Sequence, residues 1–190
     1  MIVLASKSPR RQELLRLLGT EFQIITENID ETMDASLPPQ DEVRRVSACK
    51  AEAVLPLTAP GDIIISADTI VVLDGRVMGK PKSEEEAKQM LRALSGRTHR
   101  VMTGLTVRQD ARVEAVTVIT EVTFRDLSER EIAAYVAGGS PMDKAGAYGI
   151  QDTASAFVSS ISGDYFNVMG LPVCTLTQLL RIFGVPVLEG

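Results

Sequence analysis

The sequence has little of the side chains that most often carry metal or nucleophilic chemistry. It contains one histidine, His99, and two cysteines, Cys49 and Cys174. A single histidine rules out a histidine-rich zinc site and disfavours a Ser-His-Asp triad. The cysteines are far apart and lie in apolar helical patterns, so we expect reduced core thiols rather than a disulfide. Carboxylates, lysines and hydroxyls remain as candidates for any chemistry.

Long apolar runs are also absent. No run approaches the ~20 residues that a helix needs to cross a bilayer, and residues 1–5 lack the charged start and cleavage site of a signal peptide. We therefore expect a cytoplasmic protein with no membrane partner. With 190 residues and 45% apolar content, the chain can bury a full core. We expect a single compact, bilobal domain over residues 1–190.

The sequence has no excess of positive charge, with 20 lysines and arginines against 25 aspartates and glutamates. The net charge of −5 argues against a broad nucleic-acid surface, so we expect no stable nucleic-acid complex. The cations in or beside turn-forming segments are Lys7, Arg10, Arg11, Lys50, Lys80, Lys82 and Lys144. This local grouping favours a small polyanion over a polymer as the partner.

A cationic turn near the N terminus is the first candidate binding segment. The stretch Ser-Lys-Ser-Pro-Arg-Arg at 6–11 follows an apolar run and precedes several leucines, which predicts a strand, a turn and a helix. Ser8 suits the N-cap, Pro9 the first helical position and Gly19 the helix end. Such a turn aims hydroxyls, arginines and backbone N–H groups at one spot, which should bind phosphate. The alternative is a capped surface helix with solvated arginines.

Two charged residues lie inside apolar patterns. Lys50 falls on the buried stripe of a helix predicted from about Asp41 to Leu55, where it either snorkels to the surface or reaches a buried anion. Asp68 interrupts a run of β-formers over 62–73. A buried carboxylate must be hydrogen-bonded, protonated, or facing a metal or a cleft. The alternative is an aspartate at a bulge or strand end that hydrogen-bonds to backbone.

Long strands define the expected architecture. The alternating segments 98–107 and 113–124 predict half-buried antiparallel strands joined near Asp110. At roughly 3.3 Å per residue they reach ~30 Å, long enough for the spine of a mixed sheet joining two lobes. The strands therefore predict a mixed sheet, and a cleft between the lobes is the natural ligand site.

Turn and cap signals mark further elements. Asp74-Gly75 predicts a two-residue hairpin turn. Ser83 with Glu86, and Ser128 with Glu131, predict capping boxes at two helix starts.

The C-terminal third is rich in turns. Residues 156–168 predict a hairpin around Ser162-Gly163-Asp164, and a final helix follows Pro172. The stretch 141–151 is either a binding loop, because its glycines permit close approach to a ligand, or a plain connector.

Five motifs together resemble the Maf nucleotide pyrophosphatase family, in order and nearly end to end. They are Ser-Lys-Ser-Pro-Arg-Arg at 6–11, Ser-Ala-Asp-Thr at 66–69, Gly-Lys-Pro at 79–81, Asp-Lys-Ala-Gly-Ala-Tyr-Gly-Ile-Gln at 143–151 and Gly-Leu-Pro at 170–172. The resemblance implies an α/β fold like that of the inosine-triphosphate pyrophosphatases, with a deep cleft between two lobes around a long, mixed and twisted sheet. It also implies hydrolysis of a nucleoside triphosphate to the monophosphate and pyrophosphate.

The resemblance also implies roles for individual residues. Asp68 matches the family's proposed proton acceptor, and Glu31 matches an acidic position assigned, with Asp68, to a divalent cation, Mg²⁺ or Mn²⁺. The positions implied to hold phosphate are Ser6, Ser8, Arg10, Arg11, Lys50, Lys80, Asp143 and Lys144. Asp143 and Lys144 would close the site from the other lobe.

The resemblance implies that base specificity depends on three positions. The family branch associated with 7-methyl-GTP carries the patterns Ser-Pro-Trp-Arg and Ser-Asp-Gln and a glutamate. At the corresponding positions this chain has Arg10, Thr69 and Gln151. This chain instead resembles the branch that acts on dTTP and UTP, with modified uridine triphosphates as further candidates. Gln151 carries a donor and an acceptor and so can pair with a thymine or uracil edge.

Other functions are kept as alternatives. One is a pyrophosphatase of another base specificity, such as 7-methyl-GTP. Another is a nucleotide-binding cell-division regulator without catalysis, which could dispense with Asp68. A nucleic-acid-binding module would need a continuous basic face. The assembly is left open, with a homodimer among the candidates.

Overall fold

The computed structural model describes residues 1–34 and 36–187. The strands within these ranges are β1 (Ile2–Leu4), β2 (Phe22–Ile24), β3 (Ile63–Leu73), β4 (Arg76–Met78), β5 (Thr98–Gln109), β6 (Arg112–Phe124) and β7 (Val158–Ser162). The α-helices are α1 (Pro9–Arg16), α2 (Pro39–Val54), α3 (Glu84–Leu94), α4 (Glu129–Ala137), α5 (Tyr165–Met169) and α6 (Val173–Ile182). Short 3₁₀ turns cover Leu55–Leu57, Ser140–Asp143, Ala145–Ala147 and Thr153–Phe157. Over the same ranges, none of the helices combines the length and the apolar character that crossing a bilayer requires.

The sheet mixes parallel and antiparallel pairs, which confirms the predicted α/β class. Its strand order is β2-β1-β3-β5-β6-β7, with β4 paired to β3. β1 pairs in parallel with both β2 and β3, whereas β4 and β7 pair antiparallel with β3 and β6. Asp74, at φ 50°, and Gly75, at φ 75°, form the predicted hairpin turn between β3 and β4.

The chain divides into two compact units. Unit 1 comprises Met1–Asp68, Thr103–Val118 and the chain from Gly170 onward, and unit 2 comprises Thr69–Met102 and Ile119–Met169. The single bilobal domain over residues 1–190 stays a prediction.

Helix α2 packs closely in unit 1. Val3 and Ile64, on neighbouring parallel strands, are fully buried with Ala51 and Val54 of α2. A Cβ at Gly104 of β5 would lie 2.2 Å from the backbone oxygen of Val43, so only glycine allows this approach of helix to strand. The close packing fixes the position of α2, which carries Lys50.

An aromatic cluster forms part of the core of unit 2. Phe124 makes edge-to-face contacts with His99, Tyr148 and Phe157 at centroid distances of 5.0, 4.8 and 6.0 Å. Tyr135 of α4 packs on Phe157 at 5.3 Å. The titratable side chains of His99 and Tyr148 therefore belong to a packed core.

Two local predictions were wrong in part. Residues 165–169 form helix α5 rather than a hairpin strand, because the Asp164 carboxylate accepts hydrogen bonds from the backbone N–H groups of Phe166 and Asn167. Strand β7 pairs with β6 instead. Cys49 is half-buried and Cys174 is exposed, so neither lies in the core as predicted, although both cysteines are free as predicted.

The two predicted capping boxes differ. Ser128 and Glu131 form the complete reciprocal box at the start of α4. At α3, Ser83 accepts from the backbone of Glu86 as predicted, but the Glu86 carboxylate accepts from the backbone N–H of Lys82, at 2.7 Å. That box is therefore only half formed.

Candidate active site

Lys50 joins two of the predicted site carboxylates in unit 1. Its ammonium lies 2.6 Å from Asp68 Oδ1 and 3.0 Å from Glu31 Oε1. The side chains of Lys50 and Asp68 are only 15% and 16% exposed, whereas Glu31 is 57% exposed. Of the two alternatives for Lys50, the structure therefore has it reaching an anion. Strand β3 continues through Asp68, so that carboxylate is ion-paired within a strand rather than placed at a strand end.

The segment that carries Glu31 is tied to α2 by an ion pair whose carboxylate is buried. Glu42 is 1% exposed, and Arg45 donates to both of its carboxylate oxygens, which lowers the pKa of Glu42. Glu42 also accepts from the backbone N–H of Asp34, at 2.8 Å, and Arg45 donates to the backbone oxygen of Thr32. The backbone on the C-terminal side of Glu31 is therefore fixed. The spacing of Glu42 and Arg45, three residues apart on a helix, was the available sequence signal.

The N-terminal turn is held by Ser6 rather than by Ser8. Ser8 occupies the N-cap of α1 and Pro9 begins the helix, as predicted, but the Ser8 side chain makes no capping hydrogen bond. The Ser6 hydroxyl oxygen instead accepts from the Ser8 backbone N–H at 3.2 Å and from Arg11 Nη1 at 3.3 Å. Arg11 Nε also donates to the backbone oxygen of Gly170 at 2.8 Å.

Electrostatics links this turn to the carboxylates. Burial of the Arg11 guanidinium lowers its pKa, and the negative charge of Asp68 opposes that shift. Arg10 lowers the pKa of Arg11 further, and Glu31 raises it. Unit 1 thus brings together the predicted residues Ser6, Ser8, Arg10, Arg11, Glu31, Lys50 and Asp68.

Unit 2 brings together two further motifs. The backbone N–H of Gly146 donates to the oxygen of Gly79 at 3.0 Å, which joins the turn before Lys80 to the segment that carries Lys144. Lys80 is exposed. Lys144 is half-buried and donates to Asp143 Oδ1, at 2.7 Å, and to the backbone oxygen of Ser140.

The predicted specificity positions in unit 2 differ in exposure. Thr69 is half-buried in β3, whereas Gln151 is exposed after the buried residues Tyr148–Ile150. Asp152, which sequence reasoning missed, follows Gln151 and accepts hydrogen bonds from Tyr135, Ser140 and Ala154. Its local signal was the pattern of an aspartate before a helical turn.

Comparison with known proteins decides the family. A family model described as "Maf-like protein" matches residues 1–183. The chain belongs to the Maf-like protein family. The resemblance inferred from the five motifs is therefore confirmed.

Relatives of this Maf-like protein match along almost their whole length. A protein from Moorella thermoacetica is 51% identical over 188 residues, which cover 98% of this chain and 96% of that protein. One from Symbiobacterium thermophilum is 49% identical over 190 residues, covering 100% and 97%. Both carry the name "dTTP/UTP pyrophosphatase".

Solved structures support the same fold. The structure of a HAM1 protein from Coxiella burnetii aligns with a TM-score of 0.53 at 17% identity, covering 95% of this Maf-like chain and 98% of that chain. The likeness concerns the fold alone, and it agrees with the α/β class predicted from the sequence.

Proposed function

We propose that this chain hydrolyses nucleoside triphosphates, with dTTP and UTP as its best substrates, to the nucleoside monophosphate and pyrophosphate. The observation that carries the proposal is the 51% identity, over nearly the whole of both chains, to a relative named dTTP/UTP pyrophosphatase. The cluster of Lys50, Asp68 and Glu31 in unit 1 supplies chemistry that suits this reaction.

The proposed catalytic residue is Asp68. Cleaving the bond between the α- and β-phosphates needs a group that orients a water molecule and accepts its proton. Asp68 is a half-buried carboxylate, and Lys50 fixes one of its oxygens at 2.6 Å. An oriented carboxylate of this kind supports general-base catalysis without a covalent intermediate.

Charge neutralisation on the triphosphate is assigned to the cations. The proposed partners of the phosphates are Arg10, Arg11, Lys50 and Lys80. Cationic side chains that contact a phosphate stabilise the negative charge of the transition state. The further residues that we assign to phosphate binding are Ser6, Ser8, Asp143 and Lys144. The Ser6 oxygen already accepts two hydrogen bonds, so its hydroxyl proton is the part that it can offer to a phosphate.

A divalent cation fits the carboxylates of unit 1. Glu31 and Asp68 both contact one cationic group, the Lys50 ammonium, so a positive charge is already held between them. The described residues contain no cluster of three or more acidic, histidine or cysteine side chains that could hold a metal alone. Mg²⁺ is commonly bound by one or two carboxylates together with substrate phosphates. Glu31 and Asp68 would hold Mg²⁺ or Mn²⁺ in this way, and the ion would neutralise phosphate charge and acidify water.

Metal dependence tests that assignment. Hydrolysis of dTTP should stop in excess chelator and return when Mg²⁺ or Mn²⁺ is added beyond the chelator. Full activity in excess chelator would contradict the role of Glu31 and Asp68 toward a metal.

Base selection is assigned to Arg10, Thr69 and Gln151. The Gln151 side chain is exposed and its amide offers a donor and an acceptor, as the edge of thymine or uracil requires. A site built to hydrogen-bond one base edge can reject another by ~10⁴-fold. We therefore expect a clear preference among bases.

A substrate panel tests the proposed function. Pyrophosphate release is measured as kcat/KM for dTTP, UTP, CTP, GTP and 7-methyl-GTP with Mg²⁺ present. We expect dTTP and UTP to lead, with CTP and the purine nucleotides poor. A purine in first place would contradict the base assignment. Nucleotide binding with no turnover of any substrate would favour the non-catalytic regulator.

Three expectations from the sequence stay predictions. They are the cytoplasmic location, the lack of a stable nucleic-acid complex and the homodimer. Light scattering of the purified protein measures the last of these directly.

A further inference from the structure

The carboxylate of Asp152 is the centre of a hydrogen-bond network in unit 2. It accepts from Ser140 Oγ at 2.7 Å and from the backbone N–H of Ala154 at 2.8 Å. The Tyr135 hydroxyl lies 3.1 and 3.2 Å from its two oxygens. Three donors from different parts of unit 2 therefore converge on a carboxylate that is 23% exposed.

The same network contacts both ends of the segment 140–149, which carries Lys144. The Tyr135 hydroxyl accepts from the backbone N–H of Gly149, at 3.2 Å, while it donates to Asp152. Burial raises the pKa of Tyr135, so its hydroxyl keeps the proton that this double role needs. Ser140 donates to Asp152 through its hydroxyl and accepts from Lys144 through its backbone oxygen.

Gly149 leaves the space in which Lys144 and Asp152 approach each other. The Lys144 ammonium is 3.9 Å from Asp152 Oδ2. A Cβ at Gly149 would lie 2.7 Å from Lys144 Cε and 2.8 Å from Asp152 Oδ2. Any larger residue at this position would have to displace one side chain or the other.

We propose that Asp152 is a positioning residue that fixes Lys144 and Gln151 for the nucleotide. Lys144 is held by its hydrogen bond to Ser140 and by the charge of Asp152. Gln151 lies in the chain between Gly149 and Asp152, and both of these residues hydrogen-bond to the Tyr135 hydroxyl. The inference rests on the proposed function, since it assumes that Lys144 and Gln151 contact the substrate. It adds that their geometry is set by a carboxylate that touches neither phosphate nor base.

The inference predicts a specific kinetic pattern. Asp152→Asn keeps the side-chain size but replaces one acceptor oxygen with a donor that faces Ser140 or Tyr135. We expect KM for dTTP to rise ~10-fold, kcat to stay within about twofold, and the ratio of kcat/KM between dTTP and CTP to fall. Gly149→Ala should give the same pattern, because it acts on the same contact.

Matched tyrosine variants separate positioning from loss of structure. Tyr135→Phe removes only the hydroxyl of the network, whereas Tyr165→Phe removes an exposed hydroxyl in α5. Urea unfolding of each variant checks the fold. We expect a raised KM and weaker base discrimination for Tyr135→Phe, and wild-type kinetics for Tyr165→Phe. A fall in kcat with unchanged KM and unchanged base preference in Asp152→Asn and Tyr135→Phe would overturn the inference.

A binding experiment distinguishes failure of the positioning role of Asp152 from failure of the proposed function. Calorimetry measures the affinity of each variant for a dTTP analogue with a methylene bridge between the α- and β-phosphorus atoms. If the wild-type protein binds the analogue but hydrolyses nothing, the proposed function fails, and weaker binding by Asp152→Asn still supports positioning. If the wild-type protein hydrolyses dTTP while Asp152→Asn binds and discriminates like the wild type, the positioning role is wrong and the proposed function stands.

Discussion

The charged clusters of the two units are built around opposite charges. In unit 1 a cation is central, because the Lys50 ammonium contacts the carboxylates of Asp68 and Glu31. In unit 2 an anion is central, because the Asp152 carboxylate accepts hydrogen bonds from two hydroxyls and one backbone N–H. The first cluster is held by charge and the second by directional hydrogen bonds.

That difference indicates which cluster can change when a ligand arrives. Glu31 is more than half exposed, and ion pairs near solvent are weak, so phosphates and a metal can rearrange the partners of Lys50. The donors to Asp152 are packed side chains and backbone, whose hydrogen bonds are lost only if the segment moves. We therefore assign the chemistry to the cluster of unit 1 and substrate positioning to that of unit 2.

Substitution of Asp68 should have the largest effect of a single residue. Asp68→Asn removes the proposed proton acceptor, so kcat should fall by ~10²-fold or more. Thermal stability should change little, since Lys50 keeps its contact with Glu31. The control is Glu52→Gln, an exposed carboxylate on α2. A folded Asp68→Asn protein that retains more than about half of the wild-type turnover would contradict the assignment of the chemistry to the cluster of unit 1.

Lys80 and Lys82 form a matched pair in unit 2. Both are exposed and only Pro81 separates them, but only Lys80 matches the family motif. Lys80→Ala should lower kcat/KM for dTTP by ~10-fold or more, the scale of a lost charge-assisted hydrogen bond. Lys82→Ala should stay within about twofold of the wild type. Equal losses in the two variants would mean a general effect of positive charge rather than a phosphate contact.

The packed character of unit 2 predicts a smaller effect, on stability rather than on activity. His99 is 2% exposed, its Nε2 lies 2.7 Å from the Tyr148 hydroxyl, and burial lowers its pKa to about 4. The unfolded chain, with an ordinary histidine pKa near 6.5, therefore binds a proton that the folded protein excludes. Stability that is present above pH 6.5 is lost as the pH falls toward 4.

Urea unfolding at two pH values measures this loss. Between pH 6.5 and 5.5 the wild type should lose about 1 kcal/mol more than His99→Gln, which has no titrating ring. Parallel losses in the two proteins would show that His99 is not buried as a neutral group.

Local signals predicted much of the fold. The capping box of Ser128 with Glu131 and the hairpin turn at Asp74-Gly75 depend only on residues close in sequence. Both were predicted correctly. The error at 165–169 was also local, because β-forming residues outweighed the capping aspartate, Asp164, that begins α5. Ser8 occupies the predicted N-cap position, but the hydroxyl that accepts a hydrogen bond in the turn is that of Ser6.

The site depended on contacts distant in sequence. Lys50 and Asp68 are 18 residues apart, so the helical pattern alone could not decide between snorkelling and an ion pair. The two hydroxyl donors to Asp152 belong to Tyr135 and Ser140, 17 and 12 residues away, and its local pattern did not indicate them. Motif resemblance supplied the residues, whereas their partners required the structure.

Product identity tests the central claim most directly. Phosphorus NMR of dTTP incubated with the protein and Mg²⁺ distinguishes cleavage between the α- and β-phosphates from removal of the terminal phosphate. We expect dTMP and pyrophosphate in equal amounts from the earliest time points, with both products formed ~10²-fold or more slowly by Asp68→Asn. Accumulation of dTDP with orthophosphate, or unchanged product formation by Asp68→Asn, would contradict this expectation.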